Sequence, residues 1–318
     1  MTARTFCSAV PAGRTVVYDP AAELAHLAPR TLPVGRVLLD DTEVAQWPTV
    51  SQSQLATRVP LNICWSPLVR CNLHCPHCLD DKTLPEAGAA ERARAGEILA
   101  ASGALGLDIS GGEPLLLREL AHLLDILARH GAAVSCTTNG WHLQRRAAEL
   151  APHLAAIRVS LDGPDAPAHD HWRGAGSFAR AREGIQAAVA EGIPLQIHAV
   201  VMRSTLDRVQ SMVDLAAELG AVGVTFLQML PIGDGARLAR SEMVTDTEAA
   251  RAISTIHAPE GVHVRLRTRE SAEGFTVVRA DGLVYRNGPA VARIIPSIRL
   301  RTAGDLLLPT PHADRSTP

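Results

Sequence analysis

The densest chemistry in the 318-residue chain is Cys71-Asn-Leu-His-Cys75-Pro-His-Cys78, three thiols within eight residues. One short loop can wrap a compact metal body. A cubane [4Fe–4S] cluster ordinarily takes four thiolates. Three on one loop hold three irons and leave the fourth open to a substrate, as catalytic zinc keeps an open position. The same residues admit a structural zinc, with Cys75 and Cys78 joined by Cys71, His74 or His77. That is the non-catalytic alternative. Cys7, Cys64 and Cys136 lie apart and are not spread like a disulfide framework.

Other segments have the composition of site loops. They are Gly111-Gly112-Glu113-Pro114, Thr138-Asn139-Gly140, Ser160-Leu161-Asp162-Gly163-Pro164, Trp172-Arg173-Gly174 and Pro231-Ile232-Gly233. Each except Trp172-Arg173-Gly174 ends a short apolar run. Those runs read as strands at 61–66, 105–110, 132–138, 156–161, 194–201 and 222–229. Helical periodicity fills 87–102, 116–130, 142–152, 178–191, 205–219 and 247–257 between and after them. Ser204 and Thr245 are expected N-caps, and Gly131, Gly192 and Gly220 expected stops. Strand–helix units in series require a parallel sheet. With no GxGxxG, a partial (β/α)6 barrel fits better than a dinucleotide fold. Its chemistry belongs on the loops at the C-terminal strand ends.

The expected organisation is an extension or small subdomain at 1–60 and the barrel at 61–258. A β-rich cap follows at 259–307, with an Asp281-Gly282 hairpin turn, then a disordered tail at 308–318. Net charge is −2 and aromatics are 3% of the chain, so no nucleic-acid footprint exists. Lys82 is the single lysine, which excludes a phosphate-binding GxxxxGK loop. No apolar run approaches a membrane span, and the N-terminus lacks an apolar signal core, so a cytoplasmic location is expected.

In this order, the CxxxCxxC loop, Gly111-Gly112-Glu113, Thr138-Asn139-Gly140, Ser160-Leu161-Asp162-Gly163-Pro164 and His169-Asp170 to Gly174 resemble the radical SAM superfamily. The resemblance covers about residues 61–240. It implies a [4Fe–4S] cluster on Cys71, Cys75 and Cys78, one per chain, and S-adenosylmethionine as co-substrate. It also implies a low-potential electron donor such as flavodoxin or ferredoxin. Glycines 111 and 112 would let backbone approach a ligand, and Glu113 would accept from the methionyl ammonium. Ser160 and Arg173 would meet the methionyl carboxylate, Arg through its planar fork. Asp162 suits a ribose hydroxyl or, equally, the turn before Gly163. Backbone near Gln228 and Met229 would meet adenine, with the Met229 side chain packing. Asn139 and His198 join this cofactor-binding set; His198 also fits a buried, hydrogen-bonded histidine.

Cys136 shares a strand face with Thr138 by period two. That placement offers its thiol to the barrel lumen as a hydrogen donor; the alternative is a small buried hydrophobe. His74 and His77 read as packed or solvated loop residues. The segment Ala280-Asp281-Gly282-Leu283-Val284-Tyr285-Arg286 resembles the strand pair of the cysteine-rich SPASM or twitch extension, but no cysteine occurs after Cys136. The extension then reads as a cluster-free cap. The expected substrate is a small-molecule natural product or a peptide. Residues 1–60 are short for a leader-peptide-binding domain, which favours the small molecule.

Overall fold

The computed structural model describes residues 3–268, 275–287 and 294–309. The first sixty residues build a five-stranded antiparallel sheet. It comprises β1 (Ala3–Ala9), β2 (Val16–Asp19), β3 (Leu24–Leu27), β4 (Gly35–Asp40) and β5 (Thr49–Val50), in the order β4-β1-β2-β3-β5. A short helix α1 (Asp41–Val44) follows β4, capped by the Asp40 carboxylate.

The barrel strands are β6 (Asn62–Trp65), β7 (Gly106–Ile109), β8 (Ala133–Thr138), β9 (Ala156–Ser160), β10 (Leu195–Val201) and β11 (Gly223–Gln228). All pair in parallel, in chain order. Strand β12 (His263–Arg267), expected in a C-terminal segment, also pairs in parallel with β11 and prolongs the barrel sheet. At the other side β13 (Thr276–Val278) lies parallel to β6, and β14 (Leu283–Asn287) and β15 (Ile294–Arg299) continue antiparallel. Gly282 turns the β13–β14 hairpin at φ +74°, with Leu283 N donating to Asp281 Oδ1.

The helices are α2 (Ala89–Ala100), α3 (Leu120–Ala128), α4 (Leu143–Leu150), α5 (Ala166–Arg173), α6 (Ser177–Ala190), α7 (Val209–Glu218), α8 (Ala239–Glu242) and α9 (Asp246–Ser254). Leu120, Leu123, Leu124 and Leu127 show the packing rule: one stripe of α3, wholly buried against the sheet. Thr245 caps α9 in a capping box with Glu248. Ser204 does not cap α7: the N-cap is Arg208, four residues later, and the Ser204 hydroxyl donates to Glu242 instead. Helix α5 was not legible as periodicity. Asp165 caps it and Gly174, at φ +102°, ends it, which sets Arg173 in its last turn.

Strand alternation is inverted relative to a sheet with one wet face. Ile63, Trp65, Leu107, Ile109, Val134, Ile157, Val159, Ile197, Val224 and Phe226 point outward, into the apolar layer under the helices. The polar set points inward: Asn62, Cys64, Asp108, Ser135, Thr137, Arg158, Ser160, Gln196, His198 and Thr225. The N-terminal sheet closes the lower end of this lumen. Cys7, Val16, Tyr18 and Ala25 pack on Leu105, Ala133 and Ala155 where barrel strands begin. The β2–β3 turn then enters the lumen. Arg158 donates to Pro20 O, and Arg265 Nη1 donates to Ala22 O at 2.5 Å and Glu23 O at 2.9 Å. Residues 310–318, most of the expected disordered tail, lie outside the described residues.

Candidate active site at the barrel mouth

The cysteine loop leaves the end of β6 and is fixed from two sides by backbone contacts. Gly112 N donates to Leu68 O at 3.0 Å, and Glu113 N to Arg70 O at 2.8 Å. A Cβ on Gly112 would lie 2.0 Å from Arg70 O, and one on Gly111, at φ +105°, would lie 2.5 Å from Leu68 O. The paired glycines therefore admit the close approach of the loop's own backbone. On the far side Gly235 N donates to Cys78 O at 3.2 Å, and a Cβ on Gly233 would lie 2.7 Å from that same oxygen. A buried ion pair, Arg279 with Asp80 at 2.7 Å, ties the β13–β14 hairpin to the loop's exit.

Cys71, Cys75 and Cys78 are each partly exposed. Burial pushes all three thiols above their ordinary range, opposed at Cys75 by the Arg173 charge. Asn139 Nδ2 stands 3.6 Å from Cys71 Sγ and Leu73 N 3.4 Å from it, so donors already face that sulfur. Among the described residues no three His, Cys, Asp or Glu side chains converge as the ligands of one ion would. A cubane makes a different demand, since it offers each thiolate its own iron corner. Three accessible thiols on one clamped loop fit that group.

Beside the loop sits a fully buried carboxylate. Asp162 accepts from Arg173 Nε at 2.5 Å and Val200 N at 2.8 Å, and lies 3.0 Å from His77 Nε2. Burial alone would raise its pKa; the charges of Arg173 and His77 overcome that and hold it far below the usual carboxylate range. Asp162 thus joins the cysteine loop to β9, β10 and α5. That bracing role was not among those the sequence offered for it. His77 is buried, 5.8 Å edge-on from Trp172, and is a bridge between elements. His169 Nδ1 accepts from Asp162 N at 3.2 Å, while burial lowers its pKa to about 4.

Glu113 is also fully buried. It accepts from Thr138 Oγ1 at 2.6 Å, Asn139 N at 2.8 Å and Leu115 N at 3.0 Å. In this arrangement it braces the β7 end against the β8 end. Asn139 continues the brace, donating to Asn72 Oδ1 at 2.9 Å. Gln228 turns its amide outward to Val244 O at 2.8 Å. Met229 packs with Trp172 and Met202, as its side chain was expected to pack.

Below the loop the lumen is open. On otherwise buried strands the inward residue nearest the mouth is partly exposed: Thr137, Ser160, Val200, Leu227 and Val277. Its floor is charged. Asp108 accepts from Arg158 Nη1 at 2.6 Å, Ser135 at 2.9 Å and Thr137 at 3.0 Å. Glu23 pairs with Arg267 at 2.8 Å. Burial works against the Glu23 carboxylate, but Arg158, Arg267 and His198 overcome it and hold its pKa low. His198 does face the lumen, yet its Nε2 makes no hydrogen bond and lies 3.8 Å from Glu23. Burial lowers its pKa to about 3. Glu23 carries no motif, and its role was invisible in the sequence.

Cys136 is misplaced by the period-two argument. It is wholly buried in the outer apolar layer with Val134 and Leu143. The lumen residue beside it is Thr137, because Thr138, the reference used, faces Glu113. The inward thiol is Cys64, 2.8 Å from Ser110 Oγ.

The Radical SAM superfamily model matches residues 65–216. The chain is 32% identical over 251 residues to the PqqA peptide cyclase of Streptomyces rochei, covering 77% of this chain and 67% of that one. The chain belongs to the radical SAM superfamily. Radical SAM proteins are enzymes that use a [4Fe–4S] cluster and S-adenosylmethionine, which sets aside the zinc alternative. The chain is also 32% identical over 186 residues to the AdoMet-dependent heme synthase of Methanosarcina barkeri, covering 56% of this chain and 53% of that relative. It spans about half the length of several such curated radical SAM relatives. The solved structure of native anSMEcpe with bound AdoMet shares the radical SAM fold, with a TM-score of 0.61 at 17% identity, over 78% of this chain and 80% of that one. Among the described residues no helix is long and apolar enough to cross a membrane.

Proposed function

We propose that this chain holds one [4Fe–4S] cluster on Cys71, Cys75 and Cys78 and abstracts a hydrogen atom from a peptide seated in the lumen. The observation that carries the reading is the clamped cysteine loop standing over an open, polar-lined chamber. When bound, the reduced cluster and S-adenosylmethionine together supply a 5′-deoxyadenosyl radical. The chain's own residues bind and orient. Arg173, steered by Asp162 through Nε, offers its Nη groups to the methionyl carboxylate, with Ser160 nearby on β9. Asn139 and Glu113 keep the β8 end against the loop. The N-terminal sheet seals the lower opening and keeps bulk water from that side.

A peptide is favoured by the Streptomyces rochei relative, which aligns over 77% of this chain and is named for the peptide PqqA. SuiB bound to precursor peptide SuiA shares the fold, with a TM-score of 0.57 at 17% identity. The electron donor is a low-potential ferredoxin or flavodoxin. The test is anaerobic turnover with a panel of short peptides carrying deuterium on carbon. Deuterium should pass from one peptide into 5′-deoxyadenosine. Transfer from no peptide, but from a deuterated non-peptide metabolite, would overturn the peptide reading.

A further inference from the structure

Cys64 takes no part in the cluster loop, yet it faces the chamber. Its strand neighbours Ile63 and Trp65 lie in the outer apolar layer, so the residue between them points inward. Its thiol meets Ser110 Oγ at 2.8 Å, and Ser110 directly precedes the glycines that clamp the cysteine loop. Val277 of β13, partly exposed to the same space, is its register partner.

The chamber carries a second mark of a ligand site. Arg158 Nε, His198 Nε2, Thr225 Oγ1 and both amide atoms of Gln196 are buried without a hydrogen-bond partner. These residues are 0%, 6%, 0% and 1% exposed, and all belong to the inward set. Buried polar groups are rarely left unmade. Several around one space mean that a polar molecule or ordered water completes them.

We infer that Cys64 is the hydrogen-atom donor of this chamber, returning hydrogen to a carbon radical formed there. The inference rests on the radical reading above. The Cys64 S–H bond breaks homolytically as a C–H bond forms on the radical. The resulting thiyl takes one electron from the low-potential ferredoxin- or flavodoxin-class donor and one proton from solvent, which restores the thiol. An S–H bond is weaker than an unactivated alkyl C–H bond and comparable to a peptide α-C–H bond, so the transfer is downhill to the first radical and near thermoneutral to the second. It needs a protonated thiol and develops no charge. Burial, with the nearby Asp108 charge, pushes the Cys64 thiol far above its ordinary range and keeps it protonated. The reaction class served is redox-neutral for the substrate: hydrogen removed and hydrogen returned, as in an inversion at carbon.

Two measurements test this. In the metal-free protein, hydroxyl-radical footprinting read by mass spectrometry should oxidise Cys64 and spare Cys136. Protection of Cys64 equal to that of Cys136 would overturn the placement. Separately, the reconstituted enzyme is reduced with dithionite in D2O with S-adenosylmethionine and no other substrate. The adenosyl radical should then take deuterium from the exchanged thiol. In C64S and C64A, judged folded by their cluster absorbance, the deuterium fraction of 5′-deoxyadenosine should fall at least fivefold. In C136A it should not change. Undiminished deuterium in folded C64S would overturn the donor assignment while leaving the radical reading intact. Absence of any 5′-deoxyadenosine from the wild-type protein would instead defeat the radical reading, and the donor role with it.

Discussion

His77, inside the cysteine loop, and Asp162, at the end of the fourth barrel strand, meet at 3.0 Å in a site closed to solvent. Arg173 Nε reaches the same carboxylate oxygen, Asp162 Oδ2, at 2.5 Å. The loop is therefore anchored by a carboxylate as well as by backbone.

Replacing Asp162 with Asn leaves Arg173 and His77 facing a neutral amide in a buried site. Breaking a buried pair by removing one partner costs about 3–5 kcal/mol. Urea denaturation of the metal-free protein should show a loss of that order. A loss below about 1 kcal/mol, with a native-like circular dichroism spectrum, would show that the anchor is not structural.

Gly112→Ala should act on the loop and leave the barrel. The new methyl would sit 2.0 Å from Arg70 O, so the segment before Cys71 must shift. Far-ultraviolet circular dichroism should be retained while the cluster chromophore per chain falls at least fivefold. Full chromophore in G112A would mean the close approach relaxes harmlessly.

His169 makes stability depend on pH. Its folded pKa is about 4, below the ordinary value of about 6.5. As pH falls from 6.5 towards 4 the unfolded chain takes a proton that the folded chain refuses, so stability falls with pH over that window. Between pH 7 and pH 5 this one group removes about 2 kcal/mol. His169→Gln should flatten the pH 7 to pH 5 change in unfolding free energy, read from urea denaturation, by that amount. An unchanged slope would show that His169 titrates normally in the fold.

Iron content should be about four per chain, the content of a single cubane. The three other thiols sit in separate compartments: Cys7 in the N-terminal sheet, Cys64 in the lumen and Cys136 under the helices. A reproducible content near eight, lost when those three are replaced together, would reveal an auxiliary cluster.

The strand–helix series was legible because each strand is short and apolar on the outer face, and each helix carries an apolar stripe. The cysteine loop was legible because its ligands are adjacent in sequence. What stayed hidden depends on contacts between distant segments. Glu23 reaches Arg267 across 244 residues, and nothing local marks either as a partner. Asp162 reads as a turn residue beside Gly163, although three donors from three other elements converge on it. Cys136 shows how period two misleads without a correct reference. The alternation was right, but the polar face of this sheet points inward, and Thr137 rather than Thr138 marks it. Arg265 and Arg267, polar alternates in an apparent surface strand, belong to the same inverted pattern.

The central claim is that the 71–78 loop drives reductive cleavage of S-adenosylmethionine. Reconstituted wild-type protein with dithionite should yield 5′-deoxyadenosine and methionine in equal amounts. C71A, C75A and C78A should each yield neither. Undiminished cleavage in any one of the three variants, or none from wild-type protein carrying its full iron content, would contradict the account.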